Sequence, residues 1–192
     1  MKTGLWILIG VVVIAALVGI YAVSAYNGFV TKDQKIEAQW SEVENQYQRQ
    51  ADLIPNLVSV VSSAVRAETN FVQGVIEART QFQNAQGQVA RDQAGLQMTD
   101  SVATFVAAVA ESYPVLQANT QYVALTDELS GTQNRITTAR GRYIEYTQEY
   151  NVAVKRFPSS ILAGMFGFEE KEYYHAAPGS LTTPSLGNAE LP

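Results

Sequence analysis

Apolar side chains recur along most of this chain at alternating steps of three and four residues, the spacing of one face of an α-helix. The sequence therefore predicts an all-α protein without strands. Pro55 lies inside the first stripe, where it removes a backbone donor and should kink the helix. The stripe continues in phase beyond it, which predicts one kinked helix over residues 26–67. Its members are Ile36, Trp40, Val43, Tyr47, Gln50, Ile54, Leu57, Val61 and Ala64.

Two shorter helices are predicted next. Asn70 and Gln73 have the spacing of a capping box at the start of the second, and Gly87 is a plausible stop after it. The third helix should end before Tyr113-Pro114, because the residue before proline avoids the helical region. The second stripe is Phe71, Val75, Ala78, Phe82 and Ala85, and the third is Met98, Val102, Phe105 and Val109.

The fourth stripe runs through Gly131 without losing phase, which predicts one helix over residues 119–157. Four amphipathic helices bury their stripes most simply as a bundle. The predicted fold is therefore all-α, with an N-terminal transmembrane helix followed by an antiparallel four-helix bundle of two long and two short helices. The stripe comprises Tyr122, Leu125, Leu129, Thr132, Ile136, Ala139, Tyr143, Tyr146, Tyr150, Ala153 and Phe157.

Residues 5–23 contain no charge and are nearly long enough, at about 1.5 Å per residue, to cross the hydrocarbon core of a bilayer. Trp6 lies at one end and Tyr21 and Tyr26 at the other, as interfacial aromatic residues do. We expect an uncleaved single-pass anchor over residues 1–25; the alternative is a cleaved signal peptide, whose apolar region is usually shorter. The balance of Lys residues does not determine the orientation.

A second apolar run, residues 161–168, has no polar side chain and is too short to span a bilayer. If the last long helix runs antiparallel to the first, this run returns to the level of Tyr26. It should then insert at the membrane surface, contact another protomer or cap its own bundle. The residues concerned are Phe157, Pro158, Ile161, Leu162, Met165, Phe166 and Phe168. The bundle is expected over residues 26–175, followed by a disordered tail over residues 176–192.

The composition leaves few groups for chemistry. Charged residues make up only 16% of the chain, the net charge is −5, and there is no Cys and a single His, His175. An acidic chain without a basic cluster argues against nucleic-acid binding. No catalytic constellation, cofactor motif or metal-ligand spacing is found. We therefore expect a protein that is not an enzyme and binds no cofactor or metal.

Two polar positions have structural interpretations. Asn56 follows Pro55, where its side chain would satisfy backbone carbonyls that the proline leaves free; binding a partner is the alternative. Arg135 would reach a carboxylate of the first helix, Glu42 or Glu44, in a pair that fixes register. The alternative for Arg135 is an ordinary solvated face.

Several spaced motifs together resemble the LemA family over residues 1–175. The structural motif positions within them include Trp40, Pro55, Asn56, Asn134 and Arg135. Gln133 is a departure, since the family often has an acidic residue there, and any acid-dependent contact at this position is not expected. The motifs are Tyr26-Asn27, Trp40, residues 52–58 (DLIPNLV), 113–119 (YPVLQAN), 134–136 (NRI), Ala139-Arg140, Tyr150-Asn151, 157–161 (FPSSI) and 163–168 (AGMFGF).

The resemblance implies a membrane anchor followed by a helical bundle, and it implies association with membranes, including a suggested partnership with membrane zinc-metalloproteases in envelope stress. We therefore expect a non-enzymatic scaffold or adaptor, single-pass in the plasma (inner) membrane, whose partners are the lipid bilayer, further copies of itself or another membrane protein. The alternative function is a sensory or signal-transducing membrane bundle.

Overall fold

All regular structure in residues 2–64 and 69–173 is helical. The computed structural model describes the backbone of residues 2–64 and 69–173 and the side chains of residues 4–64 and 72–173. The predicted all-α fold class is confirmed, while the predicted tail and His175 lie outside the described residues. The elements are α1 (Lys2–Ala64), α2 (Thr69–Asn84), α3 (Gln88–Ser112), a 3₁₀ turn (Pro114–Ala118), α4 (Thr120–Lys155) and α5 (Ser159–Phe166).

The helix α1 joins the N-terminal apolar stretch to the first stripe without a break. It continues through Pro55, as the phase of the stripe predicted. Every predicted stripe position from Ile36 to Val61 is buried, including Gln50, whereas Ala64 at the end of the helix is exposed. One α-helix therefore carries both an exposed apolar segment and a core-forming face.

The helix α4 also agrees with its predicted extent and contains Gly131 in its interior. Its buried face departs from the prediction after Tyr143, because it continues through Thr147, Tyr150 and Val154. The predicted core position Phe157 is wrong: this side chain is 77% exposed. The reason is that α4 ends at Lys155 and the following turn takes Phe157 off the buried face.

The described residues form two compact units. Unit 1 contains α1 through Val43 and the chain from Ile136 to Tyr173. In this unit α1 and α4 are antiparallel, since Lys32 pairs with Glu149 and Trp40 contacts Tyr143. The Trp40 and Tyr143 rings meet edge to face with centroids 6.2 Å apart, a favourable aromatic geometry. Its buried apolar residues include Phe29, Ile36, Trp40, Val43, Ile136, Ala139, Tyr143, Tyr150, Val154 and Ala163.

Unit 2 contains residues 44–135, which include the end of α1, all of α2 and α3, and the start of α4. These are the four helices of the predicted bundle. The helix α2 runs antiparallel to α1, because Tyr47 contacts Phe82 while the later Ala51 contacts the earlier Arg79. The helices α3 and α4 contact each other where the Tyr122 hydroxyl donates to a carbonyl of α3 at 3.3 Å.

The core of unit 2 holds polar pairs between α1 and α3. The Tyr47 hydroxyl donates to Asp92 at 3.1 Å, and the Thr99 hydroxyl donates to the Gln50 amide oxygen at 2.8 Å. All four side chains are buried, and the two hydrogen bonds give their polar groups partners in the core, as buried polar groups require. The two pairs advance together along both helices, which shows that α3 is parallel to α1.

Candidate membrane-proximal site

The apolar run near the C-terminus lies beside Tyr26. The Phe166 ring is 5.2 Å from the Tyr26 ring, centroid to centroid, and the Phe168 ring is 5.6 Å from it. Phe168 also contacts Phe29, with the centroids 5.1 Å apart. The antiparallel pairing of the two long helices therefore returns this run to Tyr26, as predicted. We call the surface formed by Tyr26, Phe29, α5 and residues 167–173 the root.

Local turns shape the root. The Ser159 hydroxyl donates to two carbonyls near the end of α4, at 2.7 and 2.6 Å, and so links the start of α5 to the end of that helix. At the other end Gly167 has a φ of 75°, which favours glycine because it has no Cβ. The Phe168 N–H then donates to the Ala163 carbonyl at 2.9 Å, which closes a glycine-terminated helix end. The helical conformation of α5 was not predicted from the sequence.

One face of α5 remains uncovered. Ile161 and Met165 of this helix are 57% and 73% exposed, and Phe157 in the turn before it is 77% exposed. Pro158 is also exposed, and Leu162 is half-buried. The residues predicted for this region therefore form two sets. The inner set, Phe166 and Phe168, contacts α1, and the outer set presents an exposed apolar surface.

The segment after α5 is held by Asn151, which the sequence analysis quoted only as part of a motif. Its amide donates to the Lys171 carbonyl at 2.8 Å and accepts from the Lys171 N–H at 2.9 Å. The Lys171 ammonium contacts Asp33 at 2.6 Å and Glu37 at 3.1 Å on α1. Partial burial disfavours its charged form, but these two hydrogen bonds outweigh that cost and raise the pKa of Lys171.

A second ion pair lies on the α1–α4 surface of unit 1. The Lys32 ammonium contacts Glu149 at 3.0 Å, and this hydrogen bond lowers the pKa of Glu149. The pair borders an open cleft of about 540 Å³ that Arg156 and Ser159 also line. The cleft is thus mixed in charge, and its lysine is already paired with a carboxylate.

The predicted anchor has the exposure expected of a segment surrounded by lipid. Within the described part of the chain, α1 alone is long and apolar enough to cross a membrane, and its apolar window is not buried against other parts of the chain. Trp6, Tyr21 and Tyr26 are 72%, 42% and 44% exposed. Of these three, Tyr26 contacts the rings of Phe166 and Phe168.

The motif around Pro55 is completed by a residue of α2. Because Pro55 has no N–H, it cannot bond to the carbonyl of Ala51, four residues earlier. The Arg79 guanidinium donates to that carbonyl at 2.8 Å. Asn56 is exposed. The hypothesis that Asn56 satisfies the freed carbonyl is therefore wrong for Ala51, where Arg79 serves instead.

Arg135 and its neighbours lie on the surface of unit 2. Arg135 pairs with Glu128 of its own helix at 3.2 Å, and the adjacent Asn134 is exposed. Glu44 pairs with Arg91 of α3 at 2.8 Å. The hypothesis of a register-fixing pair between Arg135 and Glu44 is therefore wrong, because each side chain has a closer partner.

The root offers apolar contact area and ion pairs. Over the described ranges, 2–64 and 69–173, no three metal-ligating side chains converge on one point. The inner rings hold α5 in place, and the outer side chains are available to a further apolar partner. An exposed apolar surface of this kind is suited to binding another apolar surface.

The sequence model of the LemA family matches residues 39–186. The chain is 26% identical to magnetosome protein MamQ of Magnetospirillum gryphiswaldense, over 87% of this chain and 72% of the relative. It has the same identity and coverage with magnetosome protein MamQ 2 of Paramagnetospirillum magneticum. Since the family match covers most of its length, the chain belongs to the LemA family.

Proposed function

We propose that this protein is a single-pass, membrane-anchored, non-enzymatic scaffold or adaptor of the plasma (inner) membrane. The observation that carries the proposal is the continuity of α1, whose exposed apolar segment runs directly into a buried core stripe. A helix without a flexible joint holds a folded unit at a fixed distance from its membrane segment. Two relatives whose names assign them to the magnetosome support a role in organising a membrane structure.

The proposal includes partners that are further copies of this chain or another membrane protein. A membrane zinc-metalloprotease is one candidate, on the basis of the family resemblance. The experiment is chemical crosslinking of the full chain in its native membrane, followed by mass spectrometry of the crosslinked products. We expect crosslinks between copies or to one recurrent membrane protein. A chain that yields neither, and that has the mass of a monomer in detergent, contradicts the scaffold proposal.

The continuity of α1 also favours a second candidate, a bundle that transmits a signal along this helix. One alanine inserted after Val23 rotates the preceding segment by about 100° relative to the core stripe. A scaffold that needs only attachment should keep its crosslinked partners after this insertion. A transmitter of helix rotation should change them, and an insertion after Gly4, at the far end of the apolar segment, is the matched control.

A further inference from the structure

We propose that α5 is an interfacial helix whose outer face inserts at the boundary between lipid headgroups and acyl chains, beside the point where α1 leaves the bilayer. This inference rests on the proposed membrane anchoring of α1. It adds a second attachment to the same membrane surface. The outer face consists of Ile161 and Met165, and we include with it the exposed Phe157 of the turn before α5.

The position of α5 along α1 determines the depth. Tyr26 lies three residues beyond Val23, the end of the uncharged apolar segment over residues 5–23, and therefore about 4.5 Å further along the helix. The Phe166 and Phe168 rings both contact Tyr26. If the uncharged segment occupies the hydrocarbon, α5 lies at the level of the headgroups, where amphipathic elements settle.

The composition of α5 fits this depth. Its sequence, SSILAGMF, contains two serines at its start and no charged residue. Ile161 and Met165 are four residues apart and therefore share one face of the helix. Both side chains are more than half exposed and lie next to the membrane segment of α1. They therefore add to the apolar surface that this segment presents.

Three lysines near α5 are already paired with carboxylates, which favours apolar burial over attraction to anionic lipid as the attachment. Lys32 is paired with Glu149, Lys155 with Glu170, and Lys171 with Asp33 and Glu37. Lysines that are already neutralised attract phosphate groups weakly. Insertion should therefore not require anionic phospholipid.

The area of the outer face favours lipid over a second copy of the chain. Even an aromatic side chain buries only about 150–250 Å². Three of them give less than the roughly 800 Å² per partner that a stable protein interface buries. A bilayer has no such threshold, because the anchor already holds the chain at its surface.

The chain has no Cys, so single-cysteine variants can be labelled without removing native residues. We suggest full-length chain in phosphatidylcholine vesicles, labelled at Ile161→Cys or Met165→Cys with an environment-sensitive fluorophore. Phospholipid carrying a nitroxide near the top of its acyl chain reports lipid contact, and iodide reports water. Val23→Cys is the lipid control. Ile144→Cys is the water control: it is an exposed apolar residue of α4, twelve positions or about 18 Å before Arg156 along the helix.

We expect the labels at positions 161 and 165 to show at least half the lipid quenching of the label at Val23, and the label at Ile144 to respond to iodide alone. Adding phosphatidylglycerol should change the quenching less than twofold. Labels on α5 that behave like the one at Ile144 overturn the inference, and so does quenching that appears only with phosphatidylglycerol. Labels protected from both quenchers indicate a protein partner and also overturn it. If lipid quenches the label at Val23 but not the labels on α5, only this inference fails. If lipid does not quench the label at Val23, the proposed anchoring fails as well.

Discussion

At the scale of single residues, Arg79 supplies the hydrogen bond that Pro55 removes from α1. The Ala51 carbonyl accepts from its guanidinium at 2.8 Å in a partly buried setting. A buried acceptor left without a donor costs about 1–3 kcal/mol, so this one contact carries more weight than an exposed ion pair. It also ties α2 to α1 at the position of its proline.

The substitution Arg79→Met should lower the free energy of unfolding by about 1–3 kcal/mol, because the Ala51 carbonyl loses its donor. In a Pro55→Ala background the new N–H can bond to Ala51, so the same substitution should cost much less. Urea denaturation of the four proteins of this double-mutant cycle measures the coupling. Equal costs in both backgrounds would show that Arg79 does not act through this carbonyl.

Gly95 allows α3 to approach the Tyr47 ring. A Cβ at this position would lie 2.7 Å from ring atoms of Tyr47, which is fully buried. We expect Gly95→Ala to destabilise the protein by about 1–3 kcal/mol through overpacking, measured by chemical denaturation. Gly141→Ala is the control: it has open space around it within α4 and should stabilise by about 0.5–1 kcal/mol. A stabilising Gly95→Ala would contradict the close approach.

These contacts show which features of the structure could be predicted from the sequence and which could not. Pro55 and the carbonyl it frees follow from local covalent geometry, and both are visible in the sequence. The donor is 28 positions away on another helix. Its identity depends on the packing of α2 on α1, for which no local signal exists. The role of Asn151 could not be predicted from the sequence either, because its two hydrogen bonds to Lys171 require α5 and the following turn to have formed.

At the scale of elements, the stripes predicted α1 to α4 because their period is dictated by the helix itself. The departures include Ala64 at the end of α1, the C-terminal end of α4, and α5. Beyond Tyr143, two sets of positions spaced three and four residues apart could continue the buried face. Packing against the rest of the protein selects the set through Thr147 and Val154. The segment of α5 is too short to show a helical period, so its position was predictable while its conformation was not.

The attachment of the segment after α5 depends on Asn151. We expect Asn151→Leu to release this segment, because both hydrogen bonds to Lys171 are lost while the apolar volume is roughly kept. Limited trypsin digestion should then cleave after Lys171 several-fold faster than in the parent chain. Gln148→Leu, an exposed position on the same helix, is the matched control. Unchanged cleavage in Asn151→Leu would contradict the role of Asn151.

The same attachment should weaken at high pH. The pKa of Lys171 is raised above its ordinary value of 10.5, so its stabilising effect is complete below that value and is lost as the pH rises through the higher folded-state pKa. Because the pair is partly exposed, we expect Lys171→Met to cost only roughly 0.5–1 kcal/mol at pH 8. The difference from the parent chain should disappear above the raised pKa. Urea denaturation over this pH range tests the prediction, and a constant difference would contradict it.

At the scale of the whole molecule, the anchor and the folded units share one helix, yet the apolar window of α1 is not buried by other described residues. Its removal should therefore expose no core. A chain that begins at Tyr26 keeps Tyr26 and Phe29 in contact with Phe166 and Phe168. Such a chain should unfold cooperatively, and its helical content should fall only by that of the missing segment.

This shortened chain also separates the two attachments to the membrane. With the anchor removed, α5 should retain weak binding to phosphatidylcholine vesicles, since a few inserted side chains give a small but measurable partition energy. In vesicle co-sedimentation, Met165→Asp should abolish the residual binding, because a carboxylate at the insertion depth is costly. Ile144→Asp, an equal change in charge on α4, should leave it unchanged. Equal loss in both variants would indicate a general charge effect, and equal retention would show that α5 does not hold the shortened chain at the bilayer.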